Sequence, residues 1–396
     1  MDIGQISADG WRIGTCMLLR ERDGGMATPR GTASELREDL MRLDDLDAYF
    51  QERARRDAFS GVALITQGPT QLFAGAYGYA SRSWSAPTTL ATRFDTASVT
   101  KLFTAVATLH LIERGALSFE TPVVETLGLQ GTTIAPAVTV SHLLTHTSGI
   151  ADDADEESGE EYADLWTARP NYAVRQTRDF LPQFAFKPAN FPPGQGCRYC
   201  NCGYVLLGLL IERATGLSYR DYVRQQIFAP AGMLHSDFFC MDVAAEQVAE
   251  GCDPQYDAQG RLVGWTKNIY SYPPVGSPDG GAHVTAGDLE RFLRQVQSGQ
   301  LLSPASVQAF LTPRVLHHAE AEGRVMYGYG MEFTMDAGGH VLFAEKEGMN
   351  VGVSAVLRHY PDTDVALVLL SNMRRGVWEP RRAIHGMLLS DGVRLK

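Results

Sequence analysis

Strand-like runs stand at both ends of this chain, and helical patterns fill the middle. Residues 61–67 and 70–79 are rich in β-branched and aromatic side chains and flank Gly68-Pro69, which predicts a hairpin. Residues 340–345, 352–359 and 364–371 read as three more strands, with Pro361-Asp362 at the last turn. Strands at both ends with helical signals between them suggest one discontinuous α/β lobe whose sheet is built from both termini. The expected fold is therefore α/β (α+β), with an antiparallel sheet built from both chain ends and flanked by helices, plus a mostly helical lobe. The expected boundaries are a flexible leader over 1–31, a discontinuous α/β lobe over 32–102 and 326–396, and the helical lobe over 103–325.

Helix signals support this division. Thr32-Ala33-Ser34-Glu35 reads as a capping box, and Leu36, Leu40, Leu43, Leu46 and Phe50 follow at helical spacing, predicting a helix over 33–57. Further helices are expected over 100–114, 138–145, 204–214, 219–228, 286–297 and 378–389. The run from Asp152 to Glu161 is acidic, has no apolar period, and is expected to be a solvated loop. If it borders a cleft between lobes, it would attract an amine-bearing substrate.

Charge and composition narrow the function. The 396 residues carry a formal net charge of -11, which leaves no basic stripe for nucleic acid. No run approaches the ~18 apolar residues of a membrane span. The first residues make a poor signal peptide: Asp2 stands at the start, Arg12 interrupts the short apolar run, and no small-residue cleavage site follows. Met26 is an alternative start. The expected compartment is the cytoplasm, where the six cysteines would be reduced. Cys197, Cys200 and Cys202 lack the paired knuckles or added histidines of a zinc site, so small buried thiols are expected and no metal.

Three short constellations carry possible chemistry. Ser98-Val99-Thr100-Lys101 places a hydroxyl and an amine on one face of a helix start. A desolvated lysine can accept the serine proton, and helix N–H groups can stabilise an anionic intermediate. Alone, a solvated helix start explains the pattern better. Tyr199-Cys200-Asn201 offers a phenol for proton transfer and an amide for binding, although a buried, hydrogen-bonded tyrosine explains it equally. Lys346-Glu347-Gly348 sits on or after a strand. There Gly348 would let the backbone approach a substrate, Met349 would offer an N–H, and Glu347 would neutralise Lys346. Alone, an edge-strand surface lysine is the simpler account.

Together, in this order, these segments resemble the serine β-lactamase and penicillin-binding protein superfamily, in its class C β-lactamase and family VIII carboxylesterase branch. Phe94-Asp95-Thr96-Ala97-Ser98-Val99-Thr100-Lys101 looks like that family's nucleophile segment. Leu143-Leu144-Thr145-His146-Thr147-Ser148-Gly149-Ile150 looks like its internal signature. Gly280-Gly281-Ala282-His283-Val284-Thr285 matches in style, and the likeness runs from about 45 to 390. The resemblance implies a β-lactamase/transpeptidase-like fold. It implies acylation of Ser98, proton transfer by Lys101 and Tyr199, and substrate binding by Asn201 and Lys346. It implies an oxyanion hole from the N–H groups of Ser98 and Met349, and no metal or organic cofactor. His146 would be structural. The family's third motif usually has a small hydroxyl residue or glycine where Glu347 stands and a small residue where Met349 stands, and Met349 would narrow the floor of the site. The expected activity is therefore esterase or amidase action on a small-molecule ester or amide. An acyltransferase using an amine or alcohol acceptor, or a binding protein that kept the fold, are the alternatives.

Overall fold

The computed structural model describes residues 41–320 and 323–390. The leader, the capping box at Thr32–Glu35 and the first part of the expected 33–57 helix lie outside the described residues.

The principal sheet has eight antiparallel strands. They are β1 (Gly61–Gln67), β2 (Thr70–Tyr77), β3 (Val315–Glu320), β4 (Gly323–Tyr327), β5 (Glu332–Asp336), β6 (Val341–Asn350), β7 (Val353–Tyr360) and β8 (Val365–Ser371). Their order across the sheet is β2-β1-β8-β7-β6-β5-β4-β3. The two ends of the chain therefore meet at the β1–β8 pair, with Gly61 opposite Ser371 and Gln67 opposite Val365. The sequence reading lacks β3, β4 and β5. These short strands at one side of the sheet are partly exposed and carry polar residues such as His317, His318 and Arg324. Their apolar pattern is too diluted to stand out. The reading also lacks a separate hairpin, Cys252–Tyr256 with Leu262–Lys267.

The central strands are buried on both faces. In β8 all seven residues are buried, and they divide by parity. Val365, Leu367 and Leu369 pack with Leu46, Phe50, Ile384 and Met387 of the terminal helices α1 (Leu46–Arg55) and α5 (Trp378–Ser390). Ala366, Val368 and Leu370 join the larger core shared with the helical part. Burial on both faces explains why this run reads as continuously apolar rather than alternating.

Two helices centre the larger core. They are α2 (Lys101–Glu113), with ten of 13 residues buried, and α3 (Asn201–Thr215), with eleven of 15 buried, and they pack on each other. A helix apolar on nearly all sides must sit inside. The remaining long helix, α4 (Ala286–Gln297), occupies the expected span. The expected 219–228 helix is an α turn, Tyr219–Val223, continued by a π turn, Arg224–Phe228. Among the described residues, no helix is long and apolar enough to cross a membrane.

Candidate active site

The backbone bends sharply to present Ser98. Ala97 takes φ 43°, a left-handed conformation that costs a side-chain-bearing residue about 1–2 kcal/mol. Surrounding bonds hold it there. Asp95 accepts the Ala97 N–H at 2.7 Å. The Thr96 hydroxyl donates to the Ala282 carbonyl at 2.8 Å, and the Ala282 N–H donates to the Thr100 hydroxyl at 3.0 Å. A short 3-10 turn, Ala97–Thr100, then leads into α2, so Ser98 and Lys101 share a face.

Lys101 is fully buried. Its Nζ lies 3.1 Å from Ser98 Oγ, 2.7 Å from Asn201 Oδ1 and 2.7 Å from the Asp279 carbonyl oxygen. Two of its N–H bonds are thus committed to acceptors, and the remaining direction faces the serine. Burial lowers its pKa to about 8, against the pull of Asp279 and with help from Lys346. A lysine amine lowered in this way can take up the serine proton along its 3.1 Å contact with Ser98 Oγ.

Tyr199 reaches the same serine, its hydroxyl 2.7 Å from Ser98 Oγ. The Nζ atoms of Lys101 and Lys346 each lie 4.9 Å from its ring centre. Burial, reinforced by Glu156, still holds the phenol well above its ordinary pKa. It rests as a hydrogen-bond donor and not as a tyrosinate. His146 packs against Tyr199, Tyr204 and Tyr327, and its Nδ1 accepts the Cys200 N–H at 3.1 Å. Burial keeps this imidazole neutral.

The start of α3 depends on a residue that sequence reasoning placed in solvent. Cys200 holds the N-cap position but makes no side-chain cap bond. Asp152 takes over from a distant segment. Its Oδ2 accepts the Asn201 N–H at 2.9 Å and the Asn201 Nδ2 at 3.2 Å, and its Oδ1 accepts the Cys202 N–H at 2.9 Å. A carboxylate there satisfies free N–H groups and complements the helix dipole. It extends the helix back to Asn201, three residues before the expected start, and turns the Asn201 oxygen towards Lys101. The acidic run is therefore no solvated loop: Asp152 and Asp153 are buried. A side chain packed across some fifty residues of sequence leaves no local pattern. Asp152, Asp153 and Cys202 have ligand atoms within 4.8 Å of one another, but both Asp152 oxygens are already engaged by N–H groups, so capping accounts for them.

The third expected segment lies inside β6. Lys346 is buried and pairs with Glu332 of β5 at 2.7 Å. Glu347 does not neutralise Lys346 as expected. Successive strand residues face opposite sides, and Glu347 pairs instead with Arg381 of α5 behind the sheet. Gly348 passes against the nucleophile turn. A methyl group there would overlap the Thr96 carbonyl and crowd the Ser98 amide, so no larger residue fits.

Ser98, Asn201 and Met349 line one cleft, partly open to solvent, together with Glu156, Tyr162 and Asp279. Phe239, Met241, Pro274 and Val275 line its apolar part. The structure thus brings together Ser98, Lys101, Tyr199, Asn201, Lys346, Gly348 and Met349. It adds Asp152, Glu156, Asp279 and Glu332, none of which stands in a recognisable motif.

Comparison with known proteins agrees with this architecture. The beta-lactamase family model matches residues 46–390. Penicillin-binding protein 4* of Bacillus subtilis (strain 168) is 28% identical over 342 residues, covering 83% of this chain and 71% of that protein. Esterase EstB of Burkholderia gladioli is 34% identical over 203 residues, covering 49% of this chain and 50% of that protein. Among solved structures, a penicillin-binding protein from Bacillus halodurans superimposes with a TM-score of 0.78 at 36% identity, covering 85% of this chain and 99% of that one. The fold and site define an enzyme of the serine hydrolase type. The chain belongs to the beta-lactamase family.

Proposed function

We propose that this protein hydrolyses a small ester or amide through an acyl-enzyme on Ser98. The observation that carries the reading is the convergence of Lys101 Nζ at 3.1 Å and Tyr199 hydroxyl at 2.7 Å on one serine oxygen. In this mechanism Ser98 Oγ attacks the substrate carbonyl carbon while its proton passes to the neutral Lys101 amine. The carbonyl oxygen becomes an oxyanion, stabilised by the N–H groups of Ser98 and Met349. Collapse breaks the bond to the leaving group, which takes a proton relayed from Lys101 through the Tyr199 hydroxyl. Water then attacks the acyl-enzyme with the same groups in reverse, releasing the acid and restoring Ser98. Asn201 orients Lys101, and Lys346 supplies positive charge beside Tyr199. No metal or organic cofactor takes part in this scheme. The proposal keeps the cytoplasmic setting expected from the sequence.

The test is covalent labelling. A fluorophosphonate probe should add one equivalent to the wild type, mapped to Ser98 by peptide mass spectrometry, and Ser98→Ala should take up none while melting as the wild type does. Labelling that persists in the mutant would sink the assignment. An acceptor amine or alcohol in place of water would make the same acyl-enzyme a transacylase. Product analysis with added amine separates the two outcomes.

A further inference from the structure

Tyr199 stands in an irregular stretch, 196–200, that pairs with no strand. No sheet ladder takes up its N–H groups, and buried N–H groups need acceptors. Two distant places supply them. The Arg198 N–H donates to the His146 carbonyl at 2.9 Å, the Cys200 N–H donates to His146 Nδ1, and those of Asn201 and Cys202 donate to Asp152. The N–H of Tyr199 itself donates to Glu157 Oε1 at 2.8 Å. Glu157 sits in the short 3-10 turn Glu156–Ser158. Asp155 anchors that turn to the same stretch, its carboxylate accepting Arg198 Nε at 3.2 Å and Nη2 at 2.6 Å.

Glu157 is in turn held from the edge of the sheet. His317 of β3 brings its Nε2 to 3.4 Å from Glu157 Oε1. The imidazole is fixed on its other sides. It stacks on Tyr327 with ring centres 4.5 Å apart, and its Nδ1 lies 3.0 Å from His318 Nδ1. Tyr327 packs on His146, whose ring lies against Tyr199. Burial acts to raise the Glu157 pKa, but His317 and the Tyr199 N–H outweigh it, with Arg198 adding to their pull, so the pKa is lowered. Glu157 is thus a charged acceptor, braced on one side and committed to the Tyr199 backbone on the other.

We infer that Glu157, braced by His317, is a positioning residue for Tyr199: it fixes the backbone from which the phenol reaches Ser98 Oγ. This inference rests on the hydrolase reading above, in which the Tyr199 hydroxyl relays a proton to the leaving group. Neither Glu157 nor His317 is among the described residues that line the cleft beside Ser98, so their effect passes through what they hold. Without the carboxylate the phenol is still present, but its backbone is free to shift, and a misplacement of ~1 Å can cost about 10²-fold in rate. The loss is specific to one step. A p-nitrophenolate departs without a proton, whereas an alkoxide must take one as the bond breaks. Misplacing Tyr199 therefore penalises an alkyl ester far more than a p-nitrophenyl ester of the same acid.

The experiment compares kcat/KM for ethyl butyrate, followed by pH-stat, with that for p-nitrophenyl butyrate, followed by absorbance. Glu157→Ala should lose roughly 10–100-fold on ethyl butyrate and less than about threefold on p-nitrophenyl butyrate. Glu157→Gln keeps an oxygen that can accept the Tyr199 N–H and should recover most of the loss. In a Tyr199→Phe background, Glu157→Ala should cost less than about threefold on either ester. Equal losses on the two esters, a loss that persists in the Tyr199→Phe background, or ethyl butyrate turnover within about threefold of the wild type overturns the inference. Should Glu157→Ala not fold, His317→Ala is read in its place: a selective loss of roughly fivefold is expected, and a loss under about twofold overturns the inference. Fluorophosphonate labelling of wild-type Ser98 reads the hydrolase assignment separately. Labelled protein that hydrolyses both esters without this selectivity in the variants refutes the positioning role alone. Unlabelled protein, or labelled protein that turns over neither ester, removes the hydrolase reading and the inference with it.

Discussion

Two groups of carboxylates, fully or partly buried, lie on opposite sides of β6, and their environments differ in one respect. Behind the sheet, Glu345 meets Arg358 at 2.7 Å and Arg381 at 3.5 Å, and Glu347 meets Arg381. Guanidinium charge outweighs burial there, so the Glu345 pKa is lowered. On the Ser98 side, no arginine reaches Asp153 or Glu156 among the described residues. Burial wins, and the pKa values of Asp153, Glu156 and Asp279 are all raised. The acids behind the sheet bind the terminal helix to the strand. The acids in front are held at a cost in stability, as expected where a site is poised for chemistry or a ligand.

The comparison can be broken by variants that should change rate on one side and stability on the other. The largest effect belongs to Lys101→Met, which should cut acylation of Ser98 by roughly 10³–10⁴-fold. Stopped-flow release of p-nitrophenol from an ester reads it. In the wild type the acylation rate should rise with pH through about 8, because the free amine is the active form. A rate that is flat across that range, or a mutant within tenfold of the wild type, would remove Lys101 as the base.

Next is Glu345→Gln, which leaves Arg358 and Arg381 facing an uncharged partner and should cost about 3–5 kcal/mol of folding stability. The Glu345 pKa is depressed in the folded protein, so its contribution is present above the ordinary value of 4.5 and lost as pH falls through the folded value. Urea melts should show the mutant penalty at pH 7 shrinking towards pH 3. Labelling of Ser98 per folded molecule should change less than twofold. A tenfold loss of labelling with unchanged stability would reverse the roles of the two sides.

The smallest effect sharpens the front side itself. Asp152 raises the Lys101 pKa through space and orients Asn201. Asp152→Asn should move the acid limb of the acylation profile to lower pH by less than about one unit and slow the plateau by roughly tenfold. A slower plateau without any shift of the limb would mean that Asp152 acts through the helix start alone.

Much of the framework was legible in the chain. Gly61–Gln67 and Ala286–Gln297 fall on the predicted residues, and α2 differs by one residue at each end. These elements are long or bounded by glycine, and their apolar period is undiluted. The three strands at one side of the sheet were not legible, because partial exposure mixes polar residues into short runs. The reading of Glu347 failed for a similar reason: adjacency in sequence suggested contact, while the strand pleat turned it away from Lys346.

By sequence alone, Ser98, Lys101, Tyr199, Asn201 and the Lys346–Met349 run stood out as candidates, because motif order and the family resemblance it carries survive in a linear text. Tertiary structure decided the rest. It chose which carboxylate would cap α3, which would meet arginine and which would be left open to the cavity. Those outcomes depend on desolvation and on partners that arrive from distant segments, and a charge run such as 152–161 holds no record of either.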